Sequence, residues 1–179
     1  MAGGEDGSAL ASASAYGHKD VVQILLENGA DVNMARGYYG SALASASAGG
    51  HKDIVQILLE NGADVNMGWG FHGSALASAS ARGHKDVVQI LLENGADVNM
   101  VGGREDGRAL TSTSANGHLA IAQILLEHGA DVSLKDADGC SALECAREES
   151  HETIVKLLLE HGADHDDIVI NDTPMDITQ

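Results

Sequence analysis

Apolar positions along this chain alternate between two textures. The first is Ala-Leu-Ala-Ser-Ala-Ser-Ala over residues 9–15, small side chains around the single Leu10. The second holds Val21, Val22, Ile24, Leu25 and Leu26, bulky aliphatics at the spacing of one helix face. Ser8 precedes the first stretch and can cap a helix by accepting a backbone N–H. Gly17 breaks that helix. A second helix is predicted from Lys19 to about Asn28, with Gly29 as its left-handed terminator. The first helix is too short to be stable alone. The second carries an apolar face too broad for a lone helix pair, so a neighbouring unit must cover it.

The pattern returns along the chain. The Gly-Ala-Asp that closes it recurs at Gly29, Gly62, Gly95, Gly129 and Gly162, in steps of 33, 33, 34 and 33 residues. A period in this range predicts an all-α solenoid of stacked helix-turn-helix units joined by glycine-rich, hairpin-like connectors. Five units are expected, at about 7–34, 40–67, 73–100, 107–133 and 139–164, followed by a tail over 165–179. In that tail Asp172-Thr173-Pro174-Met175 looks like the opening of an uncompleted sixth unit. The fifth unit is polar where the others are bland and reads as a cap against solvent. Gly3-Gly4-Glu5-Asp6-Gly7 is similar to the connector Gly102-Gly103-Arg104-Glu105-Asp106-Gly107, so further units are expected to have preceded the first.

A formal net charge of −17 argues against nucleic acid and against an anionic membrane surface as partners. No apolar run approaches the roughly 18 residues of a membrane span, and residues 1–6 lack the character of a signal peptide. An intracellular protein is expected, cytoplasmic or nuclear. Its two cysteines, Cys140 and Cys145, fit reduced thiols better than a metal site. Aromatic residues make up 3% of the chain, so the core must be built from Ala, Val, Ile and Leu.

Ser-Ala-Leu, Gly-His seven residues past the leucine, Leu-Leu, and Gly-Ala-Asp-Val-Asn together resemble the ankyrin repeat, from about Gly7 to Asp164. The start departs from the family's Thr-Pro-Leu, and the histidine expected after that leucine is Ala11, Ala44, Ala77, Thr111 and Glu144. The near identity of the first three units further resembles the arrays attached to fungal signalling proteins of the innate-immunity type. For His18, His51, His84, His118 and His151 the resemblance implies a structural role, bonding backbone between neighbouring units. His161 and His165 have i, i+4 spacing, but Gly162 between them argues against a metal site. No catalytic motif and no phosphate loop is present, so neither an enzyme nor a cofactor is expected.

Function is sought where the units disagree. Blocks 8–34, 41–67 and 74–100 differ at two places only: Val21, Ile54 and Val87, a core exchange, and Tyr16, Gly49 and Arg82 at the end of the first helix. Outside those blocks the variation lies in the connectors. Tyr16, Tyr38, Tyr39, Trp69 and Phe71 are all the aromatics of the chain, and every one lies in a variable position. Arg36, Arg82, Arg104, Arg108 and His72 share those zones. Aromatics and arginines are enriched at interface hot spots. In the ankyrin family the connector tips and first helices form the concave surface that grips partners. The expected function is therefore a non-catalytic interaction module for a protein or peptide, as a monomer or part of a longer array. Its groove, about 40–50 Å long at ordinary helix spacings, would be floored by Ala11 and Ala15 and their copies. Three readings compete. Tyr38 and Tyr39 could simply stack along the array; the aromatics could line a small-molecule or catalytic pocket using His72 or a serine; the array could be an engineered or purely structural scaffold.

Overall fold

The computed structural model describes residues 8–35, 40–68, 73–101 and 107–164. Among them are ten helices in five pairs: α1 (Ala9–Ala15) and α2 (Lys19–Glu27), α3 (Ala42–Ala48) and α4 (Lys52–Glu60), α5 (Ala75–Ala81) and α6 (Lys85–Glu93), α7 (Ala109–Ala115) and α8 (Leu119–Glu127), α9 (Ala142–Glu148) and α10 (Glu152–Glu160). The first helices pack in one row, α1 to α3 to α5 to α7 to α9, and the second helices in a parallel row behind them. Small side chains let the first row approach closely. Antiparallel bridges pair Val101 with Arg108 and Lys135 with Ser141, so those two connectors are hairpin-like.

Local chemistry sets each helix end. The hydroxyls of Ser8, Ser41 and Ser74 each accept the N–H three residues on at 3.1 Å. Ser141 forms a reciprocal cap with Glu144, whose carboxylate accepts the Ser141 N–H at 2.6 Å. In the fourth unit arginine occupies this position and provides no side-chain cap. Thr111 compensates, accepting the Arg108 N–H at 3.1 Å and donating to its carbonyl at 2.9 Å. Those two departures from the pattern are thus coupled. At the other end of α1, Gly17 (φ 74°) lets the His18 N–H reach the Ala13 carbonyl at 2.9 Å, closing the helix in a Schellman turn.

The core runs the length of the array. Leu10, Leu43, Leu76, Leu110 and Leu143 are all at most 5% exposed, and Leu58, Leu91, Leu125 and Leu158 are fully enclosed. A second set of contacts locks one unit to the next. His51, His84, His118 and His151 donate through Nε2 to the carbonyls of Ala15, Ala48, Ala81 and Ala115 in the preceding unit, at 3.0–3.2 Å. Each ring lies across the glycine of that unit: a Cβ on Gly50 would sit 2.6 Å from His84. Glycine is required there twice, for its positive φ and for the space.

A second bridge uses the closing loop. Asp31 accepts the Asn33 N–H at 3.0 Å in an Asx turn. Asn33 then donates to the Gly62 carbonyl at 3.0 Å and accepts the Asp64 N–H at 2.8 Å. Asn66 and Asn99 repeat this toward the third and fourth units. Lys19 and Lys52 reach Asp53 and Asp86 of the next unit at 3.3 and 3.8 Å, exposed pairs of small energetic weight.

A serine in these first helices can bond back to the carbonyl four residues earlier, as Ser114 does, donating to Leu110 at 2.7 Å. The equivalent Ser14, Ser47 and Ser80 are buried with no partner, as is Thr113. Close packing encloses these hydroxyls without giving them an acceptor.

Two predictions follow from this packing. His84→Ala should lower unfolding stability by about 1–3 kcal/mol, because it removes a bond and leaves the Ala48 carbonyl unanswered. His18→Ala, whose ring meets no carbonyl of another unit among the described residues, should change it by less than about 0.5 kcal/mol; urea titration of both variants checks the contrast. Ser80→Ala should stabilise by about 1 kcal/mol and Ser114→Ala should destabilise by a similar amount, since one hydroxyl is buried unpaired and the other is not. Equal effects from the two serine variants would contradict the structure.

Candidate functional site

The position that varies between otherwise identical units lies on the open edge of the first-helix row. Tyr16, Gly49, Arg82, Asn116 and Glu149 are the successive residues closing α1, α3, α5, α7 and α9, and all five are exposed. Tyr16 is 65% exposed, its ring stacked near that of His18 with 6.3 Å between centroids. Arg82 is also exposed, with Nη1 donating back to the Ser78 carbonyl at 3.4 Å. Each stands at a helix C-terminus because a residue of positive φ after it ends the helix, glycine in the first four units and Ser150 in the fifth. The position lies outside the leucine core, although a Cβ on Gly49 would meet the His51 ring at 2.5 Å.

Arg82 forms one wall of an open depression of about 470 Å³. The α7 residues Thr111, Ser112 and Ala115 floor it. Asp136, Ala137 and Asp138 of the connector before the fifth unit close one side, and Cys145 of α9 the far end. The connector is stiff. The Asp136 carboxylate accepts the N–H groups of Asp138 and Cys140 at 3.0 and 2.9 Å, and its carbonyl accepts from Gly139. The Ser141 N–H and then its hydroxyl hold the Glu144 carboxyl below its ordinary range. Burial, with Cys140 beside it, pushes the Cys145 thiol up to about 12.

The structure places the other anticipated residues as follows. Arg108 donates from Nε to the Lys135 carbonyl at 2.8 Å and from Nη1 to the Asn99 carbonyl, so its guanidinium clasps two connectors together. Arg36, Tyr38, Tyr39, Trp69, Phe71, His72 and Arg104 lie outside the described residues, as does the tail from His165. The alanine floor needs correcting. Ala11, Ala44 and Ala77 are fully buried between neighbouring first helices, and Thr111 is 2% exposed. Only Ala15, Ala48, Ala81 and Ala115 are half-exposed. Glu144, expected on that floor, is half-buried and engaged in capping α9.

His161 caps a helix: its Nδ1 donates to the Leu157 carbonyl at 2.8 Å, as His128 does to Ile124. Asn28, Asn61 and Asn94 fill the same role in the first three units. Among the described residues, no group of three or more His, Cys, Asp or Glu side chains could hold a metal ion. No described helix is long and apolar enough to cross a membrane.

The bridging asparagines escaped the sequence reading. Their signal was present: Asn33, Asn66 and Asn99 are constant, and Ser133 breaks the series. The structure shows the consequence. Ser133 is too short to span to the fifth unit and instead bonds Asp131 at 2.7 Å, which with the Ser133 N–H holds the Asp131 carboxyl below its ordinary range. A cleft of about 210 Å³ lies at this junction, between Ser133 and the Gly162–Asp164 loop.

A family model described as ankyrin repeats (3 copies) matches residues 10–102 and 76–168, which together span most of the chain. This chain belongs to the ankyrin-repeat family. Ankyrin repeats generally mediate protein–protein interaction. A search of the curated proteins found no match.

Restoring the missing bridge gives a test of the junction. Ser133→Asn should close the 210 Å³ cleft and raise stability by about 0.5–1.5 kcal/mol by adding bonds to Gly162 and Asp164. Amide exchange in α10 should slow in that variant. A faster-exchanging α10 would show that the side chain does not bridge.

Proposed function

We propose that this array is a non-catalytic module that binds a protein or peptide along its first-helix face, the concave side of the solenoid together with its connector tips. One observation carries the reading. Three blocks are identical except at a core exchange and at one exposed helix end, where tyrosine, glycine and arginine stand in turn. The position varies on an otherwise constant frame and faces solvent, outside the leucine core. It is where selection for different contacts can act.

Tyr16 and Arg82 are the anchors this surface offers, with the sequence placing Tyr38, Tyr39, Trp69, Phe71 and His72 in the connectors between them. Arg36, Arg82 and Arg104 would meet partner carboxylates or carbonyls, Arg82 from the wall of the cleft, whereas Arg108 is engaged in clasping two connectors. We read the near identity of the units as that of ankyrin arrays in fungal signalling proteins, and the working compartment as the cell interior. A catalytic pocket draws little support from the cleft: its thiol is displaced to about 12, away from the thiolate that nucleophilic chemistry uses.

The test is a comparison of two surfaces. A chain carrying Tyr16→Ala, Tyr39→Ala, Trp69→Ala and Arg82→Ala should retain a partner captured by the unaltered chain at least about tenfold less well, as expected for hot-spot truncation. A control with Gln56→Ala and Gln89→Ala on the second-helix face should retain it fully. Equal retention by both variants would remove the groove assignment.

A further inference from the structure

Two positions of the repeat change together in the fifth unit alone. The residue before the helix cap is Gly7, Gly40, Gly73 and Gly107 in the first four units, and the fourth residue of the helix is Ser12, Ser45, Ser78 and Ser112. Their counterparts in the fifth unit are Cys140 and Cys145. Side chains at these two positions meet across a capping box, where apolar residues form a hydrophobic staple. The box itself, Ser141 with Glu144, is in place between the two cysteines.

The backbone makes room for the first of the pair. Gly40, Gly73 and Gly107 take positive φ, 67°, 64° and 46°. Before the fifth unit the left-handed residue is Gly139, one place earlier, at 83°, which leaves Cys140 free to carry a side chain. The Cys140 N–H donates to the Asp136 carboxylate at 2.9 Å, and its carbonyl accepts the Asp136 N–H at 3.0 Å. Cys140 therefore sits on a stiff connector and Cys145 on α9, and their thiols are hydrogen-bonded to each other. Both are free and half-buried, and Cys145 opens onto the 470 Å³ cleft.

We infer that Cys140 and Cys145 form a reversible disulfide that ties this connector to α9, made by hydrogen peroxide and undone by a dithiol. The contact divides the roles. Burial pushes the Cys140 thiol up, and Glu148, Glu144 and Asp136 add to that, but the Cys145 S–H donates to its sulfur and favours the thiolate. Burial, with Cys140 beside it, keeps Cys145 protonated up to about 12. Cys140 is thus the attacking thiol. Its thiolate takes one peroxide oxygen as the O–O bond breaks, giving a sulfenic acid and a hydroxide that is protonated to water. The Cys145 sulfur then attacks the Cys140 sulfur, and the departing hydroxide leaves as a second water with the Cys145 proton. Two thiols and one peroxide become one disulfide and two waters. An uncharged oxidant suits a pair set among carboxylates. In the reverse step a dithiol returns both sulfurs to thiols and leaves as its own disulfide.

The chain has no other cysteine, so a bridge within one chain identifies itself. Intact-mass spectrometry of the folded full chain after hydrogen peroxide should show a monomer lighter by two hydrogens, restored by dithiothreitol. The bridged chain should unfold at a urea concentration no lower than that of the reduced chain, because the thiols already meet in the fold. Cys145→Ser restores the residue of the other units and keeps a hydroxyl that can donate to Cys140. In that variant no bridge forms, and dimedone should trap Cys140 as its sulfenic acid. Cys140→Ser should leave Cys145 oxidising at least about tenfold more slowly, as expected for a thiol held protonated. Oxygen added to the sulfurs of the unaltered chain without a bridge overturns the proposal, as do covalent dimers in its place. A bridged chain that unfolds at lower urea, or equal oxidation rates in the two single variants, overturns it as well.

Discussion

One histidine at each junction governs how this molecule is assembled. Its ring must lie flat against the backbone of the preceding unit to reach a carbonyl there, and only a residue without a side chain leaves that room. The same residue must take a left-handed backbone conformation to end the first helix. Gly17, Gly50, Gly83 and Gly117 meet both demands. The bond therefore fixes the spacing and rotation of successive units, and the leucine core falls into line behind it. Ser150 also takes a positive φ, 61°, but carries a Cβ. The fifth unit thus keeps the turn while giving up the seat.

The asparagine bridge adds a second fixed point on the opposite side of each unit. With two points of attachment, neighbouring units cannot pivot, and the small-residue helices between them pack closely enough to bury hydroxyls. Ser14, Ser47 and Ser80 show the cost of that closeness. The fourth junction lacks the second point because Ser133 cannot span it, and a cleft lies there instead. One substitution of a loop residue accounts for the difference between otherwise similar junctions.

A frame held in this manner leaves the helix ends and connectors free to differ. Tyr16, Gly49 and Arg82 occupy one position in three units whose remaining surface is the same. Tyr16 and Arg82 are exposed there and leave the leucine core untouched, whereas a Cβ on Gly49 would meet the His51 ring at 2.5 Å. The exception among the candidate residues is Arg108, which the pattern placed with the groove residues. Its guanidinium binds two connector carbonyls. Its neighbour Thr111 replaces the lost serine cap, so the fourth unit reaches the same fold by different bonds.

The repeat period, the helix pairs, their caps and the core leucines were legible in the sequence, because each follows from local spacing or local backbone chemistry and recurs five times. The constancy of Gly-His and Asp-Val-Asn was legible too, though the partners of the asparagine were not. Three things were decided only in the folded molecule. Ala11, Ala44 and Ala77 looked like an open floor, but depth of burial depends on how closely the next helix approaches. Ser114 found an acceptor where Ser80 did not, because a hydroxyl responds to the rotamer its neighbours permit. Arg108 became a clasp because residues 9 and 27 positions away along the chain brought their carbonyls to it. Sequence alone determined what repeats, since repetition is a property of the chain itself. Which faces stay open was settled by stacking, since exposure belongs to no residue until its neighbour is in place.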